Sequence, residues 1–191
     1  DRLATFDEAD LASGGPLDVH AHVHVKRIPG GRPRDSEFVN GVVFTKNVMH
    51  KKMARELANP KVMLLSFPLD FLRADGKYLD LDTVLRQEKE YLQNVVARIQ
   101  NHFPQIILVE RNVSSRALEL LRDLRDVAVA RHVKRVALDA VARSFGAEVV
   151  PSPHALLDSK VGRCARFRVQ TFVHPLIPGG RKTLLRFEAS T

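Results

Sequence analysis

Between Lys61 and Val150 the chain alternates short apolar runs with helical periodicities, and that ordering leaves few folds open to it. Lys61–Phe67 and Val127–Ala130 read as buried strands, Gln105–Glu110 as another apolar strand, and Ala147–Val150 as the strand after the last helix. Between them lie three amphipathic segments. Asp82 is placed to cap the first, on which Leu85, Leu92, Val95, Val96 and Ile99 share a face. Ser114 or Ser115 caps a second, bearing Leu118, Leu121 and Leu124. Val133–Phe145 is the third, stopped by Gly146. Strand, helix, strand, helix, strand, helix, strand implies a parallel sheet with crossover helices, an α/β centre.

Both flanks read differently. Val19, Ala21, Val23 and Val25 alternate with His20, His22, His24 and Lys26, a period of two that predicts a strand. Pro29-Gly30-Gly31 turns the chain, and Phe38–Thr45 reads as a second strand, with Gly41 marking a bulge. At the other end Phe167, Val169, Thr171 and Val173 alternate with Arg166, Arg168 and Gln170. Pro178-Gly179-Gly180 turns, and Thr183–Phe187 returns as the second arm of a hairpin. Residues 1–17 read as an acidic linker ending in Ser13-Gly14-Gly15-Pro16, and 18–191 as one domain. The chain opens at Asp1 without Met or a signal peptide, so it reads as a piece of a longer protein.

Charge is distributed unevenly. Residues 1–18 carry a net of −4, residues 19–53 carry +5, the middle to residue 159 carries +1, and residues 160–191 carry +6. If the basic flanks meet in the fold, Lys26, Arg27, Arg32, Arg34, Lys51, Lys52, Arg166, Arg168, Arg181 and Lys182 make one face suited to polyanions or anionic lipid. The plain alternative is a solvated surface that keeps the domain in solution. The longest apolar run, Val62–Phe67, is far too short to cross a bilayer. A single cysteine excludes a disulfide framework and suits a reducing compartment. Six per cent aromatics without Trp argues against a base-stacking nucleic-acid surface.

No residue constellation marks an enzyme. His20-x-His22-x-His24 would need a further ligand from elsewhere to hold zinc, and otherwise is the exposed face of a strand. His50-Lys51-Lys52 has no partnering carboxylate or nucleophile nearby in sequence. Gly30-Gly31 amid bases lacks P-loop spacing. Arg163 next to Cys164 would favour a thiolate, whereas burial would leave the thiol inert. No catalytic, metal-ligating or cofactor-binding residue is therefore expected.

Three blocks resemble the apical, substrate-binding domain of group II chaperonins: Gly41–Asn47 with His50 and Met53, Asn59–Leu65 with Pro68-Leu69-Asp70, and Glu88–Ile99. Val23–Gly31, Val39-Asn40-Gly41, Thr45-Lys46-Asn47, His50–Met53, Gln87-Glu88, Ile107–Glu110 with Val113-Ser114, Val133-Lys134 and Gly162-Arg163-Cys164 are similar, more specifically, to the chaperonin-like domain of PIKfyve-type phosphatidylinositol 3-phosphate 5-kinases. The resemblance runs from about Asp18 to about Glu188. It implies a GroEL-apical-like α/β fold with flanking β strands. It also implies a non-catalytic docking or regulatory role within a lipid kinase of the cytosolic face of endosomes and vacuoles. The implied partners are a HEAT-repeat scaffold, a Sac-type phosphoinositide phosphatase and the parent's own kinase domain. ATP and magnesium would serve that kinase domain; no position here matches its catalytic or metal residues.

Where chaperonins insert a helical protrusion, Asp70–Leu81 is shorter, with a polar tip at Arg73–Lys77, which speaks against client gripping. Asp70, Phe71, Arg73, Lys77, Tyr78, Arg86 and Lys89 form the expected protein-binding surface. Two other roles stay open, contact of the basic face with anionic phosphoinositide membrane and client binding as in a true chaperonin.

Overall fold

A computed structural model describes residues 23–28, 30–71, 81–124, 127–173, 177 and 179–189. Residues 1–17, read as a linker, lie outside these. The parallel centre forms as expected. Strands β3 (Lys61–Leu65), β4 (Ile106–Val109), β5 (Ala128–Ala130) and β6 (Val149–Val150) lie in the order β5-β4-β3-β6, every pair parallel. Helices α1 (Leu81–Gln100), α2 (Ser115–Arg122) and α3 (Arg135–Phe145) are the crossovers. The strand side chains are almost wholly buried, and Val62, Leu64, Leu65, Ile107, Leu108, Val109 and Val129 are inaccessible to solvent.

Local signals set most boundaries. Ser114 Oγ accepts from the Ala117 amide at 3.2 Å and starts α2. Gly146, at φ 65°, ends α3 in the left-handed conformation that glycine adopts without strain. Asp82 does not cap α1; it is the second helical residue, where its charge still favours the helix N-terminus. Leu85 is 40% exposed, and Val84 takes the inward position instead. By angle 85 lies within the stripe of 92, 95, 96 and 99, so its exposure in the first turns of α1 is set by what packs there and not by periodicity.

A second, antiparallel sheet runs in the order β1-β9-β8-β2, from β1 (Gly41–Thr45), β9 (Arg181–Glu188), β8 (Arg166–Val173) and β2 (Glu56–Ala58). The C-terminal hairpin is thus present, and both flanks of the chain meet in it. Strand β7 (Gly162–Arg163) joins the first sheet, antiparallel to β3. Strands β2 and β7 have no counterpart in the sequence reading, because three and two residues carry no periodicity to detect.

The strand expected from Val19 to Lys26 is corrected in its described part. Residues 23–28 belong to no strand, and Val25 is 87% exposed. Alternation supplies a face but not a partner. Over residues 184–188, both edges of β9 are already taken by β1 and β8. Phe38 likewise precedes its strand and is exposed.

The two sheets join through aromatic side chains. Phe187 of β9 lies 5.0 Å from Phe167 of β8 and 5.7 Å from Phe44 of β1, ring centre to ring centre. Phe145, at the end of α3, reaches it at 6.3 Å.

Candidate interaction surfaces

The loop after β1 carries Lys51 and Lys52. Its backbone explains the His50–Met53 motif. Met49 N–H donates to the Val129 carbonyl at 2.9 Å, and the Val129 amide donates to Met53 Sδ at 3.4 Å. The turn closes the open edge of β5, a strand edge that would otherwise invite pairing with another chain. His50 Nδ1 accepts from the Lys52 amide within that turn. The motif is a clip, and its two lysines project from it into solvent.

On β8 and β9 the cross-strand register places Arg168 opposite Arg186 and Arg166 opposite Glu188 on the face turned away from Phe167 and Phe187. Arg186 is 8% exposed, the one buried charge among the described residues. Its Nη1 and Nη2 donate to both carboxylate oxygens of Glu37, at 2.8 and 2.6 Å. Its Nε lies 2.6 Å from Glu188 Oε1 without the alignment of a hydrogen bond. Arg168 Nη2 donates to the same Glu188 oxygen at 2.9 Å, and Arg166 pairs with Glu56. The flanks do meet, therefore, but here their charges cancel: three arginines face three glutamates.

The Arg186 guanidinium, mainly through its hydrogen bonds, holds the Glu37 carboxyl below its ordinary value of 4.5. A carboxylate lowered in the folded state adds stability that is whole above its ordinary value. That stability drains as the pH falls through the folded one. Glu37→Gln is therefore expected to lower the plateau of a stability-versus-pH curve above about pH 4.5 modestly, since Glu37 is mostly exposed, and to flatten the acid limb, so that the two proteins converge at low pH. Chemical denaturation at pH 3 to 7 checks this; parallel acid limbs for the two proteins would contradict it.

The bases that stay uncompensated lie further along the hairpin. Lys182 Nζ donates to the Arg27 carbonyl at 2.7 Å, which brings Lys26 and Arg27 beside the distal arm. Arg181 and Lys182, being consecutive on a strand, point to opposite faces. Val173, paired with Arg181, is 67% exposed. Arg32 precedes and Arg34 lies within a single 3₁₀ turn at Pro33–Asp35, where Asp35 accepts from the Arg32 amide at 2.6 Å. The ten expected bases thus divide among an ion-paired sheet face, the hairpin's distal end, a polar turn and the β5 clip.

Of the expected protein-binding residues, Arg73, Lys77 and Tyr78 fall outside the described residues. Asp70 is structural: its Oδ1 accepts from the Phe71 amide at 3.0 Å and its Oδ2 from Asn112 Nδ2 at 3.0 Å. The Phe71 ring packs on Tyr91 of α1 with 5.7 Å between centres. Arg86 and Lys89 are exposed on α1, near Leu85. Leu85 is the one large exposed apolar side chain on α1 and α2 among the described residues.

Cys164 is buried, and burial pushes its thiol up to about 12. The neighbouring Arg163 does not activate it. Among the described residues no three His, Cys, Asp or Glu side chains gather to hold a metal ion, and no helix is long and apolar enough to cross a membrane.

This architecture is the apical-domain α/β fold of the group II chaperonins. The open-state monomer of such a chaperonin from Methanococcoides burtonii superposes with a TM-score of 0.62 at 19% identity, covering 87% of this chain and 38% of that one. The model of the TCP-1/cpn60 chaperonin family matches residues 6–174, and the chain belongs to that family. Within it, the chain is similar to lipid kinases. It is 38% identical over 170 residues to the 1-phosphatidylinositol-3-phosphate 5-kinase FAB1A of Arabidopsis thaliana, which is 89% of this chain and 10% of that protein. It is 37% identical over 174 residues to the 1-phosphatidylinositol 3-phosphate 5-kinase of Homo sapiens, 90% of this chain and 8% of that protein. The chain spans about a tenth of the length of these curated relatives.

Proposed function

We propose that this chain is the chaperonin-like interaction domain of a phosphatidylinositol 3-phosphate 5-kinase, and that it performs no catalysis itself. In this reading it docks the kinase on a HEAT-repeat scaffold and a Sac-type phosphoinositide phosphatase, at the cytosolic face of endosomes or vacuoles. ATP and magnesium would be used by a kinase region elsewhere in the parent. The observation that carries the reading is the similarity to such kinases over about nine-tenths of the chain. The charged, exposed helix faces on a two-sheet body support the docking part of this reading.

The exposed first half of α1 is the docking face this reading favours, because Leu85, Arg86 and Lys89 combine an apolar anchor with two cations. The immobilised 191-residue chain should retain the scaffold in a pull-down. Arg86→Glu with Lys89→Glu should reduce retention about tenfold or more without changing the melting temperature. Unchanged retention by that double variant would move the interface elsewhere, and no retention by the parent chain would reject docking.

A second reading, contact with anionic phosphoinositide membrane, draws on the distal hairpin, where Arg27 and Lys182 meet near exposed Val173. Each base near such a surface contributes about 1 kcal/mol. Flotation with anionic vesicles at two salt concentrations tests it, and salt-independent binding rules it out. Client gripping draws no comparable support, since it needs an apolar groove and the described faces of α1 and α2 offer Leu85 alone.

A further inference from the structure

A cavity of about 340 Å³ opens where the C-terminal end of α1 meets the β3–β7 pair. Lys61 and Arg163 are directly opposite one another in that antiparallel pair, so they stand on the same face as neighbours. Like charges so placed repel unless an anion lies between them. No carboxylate lines the cavity, and neither cation has an ion-pair partner among the described residues. Every charged pair on the hairpin face is matched by a glutamate; here the match is missing.

The walls are held in place. His102 Nε2 lies 2.6 Å from the Leu156 carbonyl, which can only accept, so Nε2 carries the proton. Lys61 Nζ donates to the His102 carbonyl at 3.4 Å, and Arg98 donates to the Pro153 carbonyl at 3.2 Å. The His102 and Arg98 bonds tie the 3₁₀ turn Pro153–Leu156 to the end of α1, and the Lys61 bond ties β3 to it. Two exposed apolar residues are chain neighbours of the residues so bonded. Phe103, next to His102, is 72% exposed and sits at φ 51°, a conformation costly for an aromatic residue. Leu157, next to Leu156, is 64% exposed.

We propose that this cavity binds a phosphomonoester group. A phosphate dianion offers only acceptors, and Lys61, the Arg163 fork and the Asn101 amide offer the matching donors. The volume exceeds that of a bare phosphate and admits a small group that carries it. That group is either a soluble phosphorylated molecule or a lipid headgroup, with Phe103 and Leu157 meeting the bilayer surface.

The test titrates the 191-residue chain with inorganic phosphate and with inositol hexakisphosphate by amide NMR. In parallel, it is floated with phosphatidylcholine vesicles with and without phosphatidylinositol 3-phosphate. Saturable binding is expected, with shifts at residues 61, 102 and 163. Arg163→Glu or Lys61→Gln should weaken it about tenfold or more, and Lys182→Glu should leave it intact. Arg163 is exposed, so its variant decides the matter should Lys61→Gln fail to fold. Binding of the free anions identifies a soluble ligand. Binding confined to vesicles, and lost on Phe103→Ser, identifies a headgroup. No binding in either arm, or binding that survives Arg163→Glu or falls equally with Lys182→Glu, overturns the proposal.

Discussion

Phe187→Ala is expected to destabilise the chain by about 4 kcal/mol and to lower its melting temperature by roughly 10 °C. Phe187 is inaccessible to solvent and touches an aromatic ring from each of three other elements: Phe44 on β1, Phe167 on β8 and Phe145 at the end of α3. The first two belong to the antiparallel sheet, and the third leads into β6 of the parallel one. Truncation therefore leaves a void where the two layers meet, and neither can close it without dragging the other. Phe44→Ala, whose ring is half-buried at the margin of the cluster, should cost less. Thermal melts of the two variants check the order. A shift below about 3 °C for Phe187→Ala would mean that the sheets are joined some other way.

Gly41→Ala should be comparably damaging, for the opposite reason. A Cβ at Gly41 would lie 2.0 Å from the Phe187 carbonyl oxygen, and φ there is 149°, a region that side chains rarely adopt. The obstacle is backbone, so no rotamer change relieves it. Strand β1 would have to leave the register that sets Gly41 against Glu188 and Val42 against Phe187. A loss of about 3 kcal/mol or more is expected, with faster amide exchange along Val42–Thr45. Wild-type exchange rates in the variant would show that the close approach is relaxed at no cost. The bulge expected at Gly41 from sequence is instead this close backbone contact, one of the two meanings that a glycine in a strand carries.

The parallel centre was legible because its middle strands are apolar throughout and two of its three helices carry an end signal. Runs such as Ile106–Val109 and the Ser114 and Gly146 signals need no tertiary information to interpret. The hairpin was legible from alternation and its Gly-Gly turn. What sequence could not supply was partnership. Arg166 and Glu56 are 110 positions apart, and Arg186 and Glu37 are 149 apart. A tally of charges shows a basic flank, whereas the fold shows a neutral network with its excess moved to the hairpin end. The cavity cations are the reverse case: Lys61 and Arg163 look unremarkable until β7, too short to carry a pattern, sets them side by side. Asp70 and Phe71 were expected at an interface because they begin the insertion. The bond of Asp70 to Asn112 and the packing of Phe71 on Tyr91 are contacts that sequence could not show.

The proposed function has these residues hold a lipid kinase to its partners and leaves the chemistry to another region. The direct measurement uses a full-length phosphatidylinositol 3-phosphate 5-kinase from which this domain has been excised. Its co-purification with scaffold and phosphatase is compared with its turnover of a short-chain soluble substrate, which needs no membrane. Lost co-purification with largely retained turnover is the predicted result. Intact co-purification together with abolished turnover would place the domain in the catalytic machinery and contradict the account.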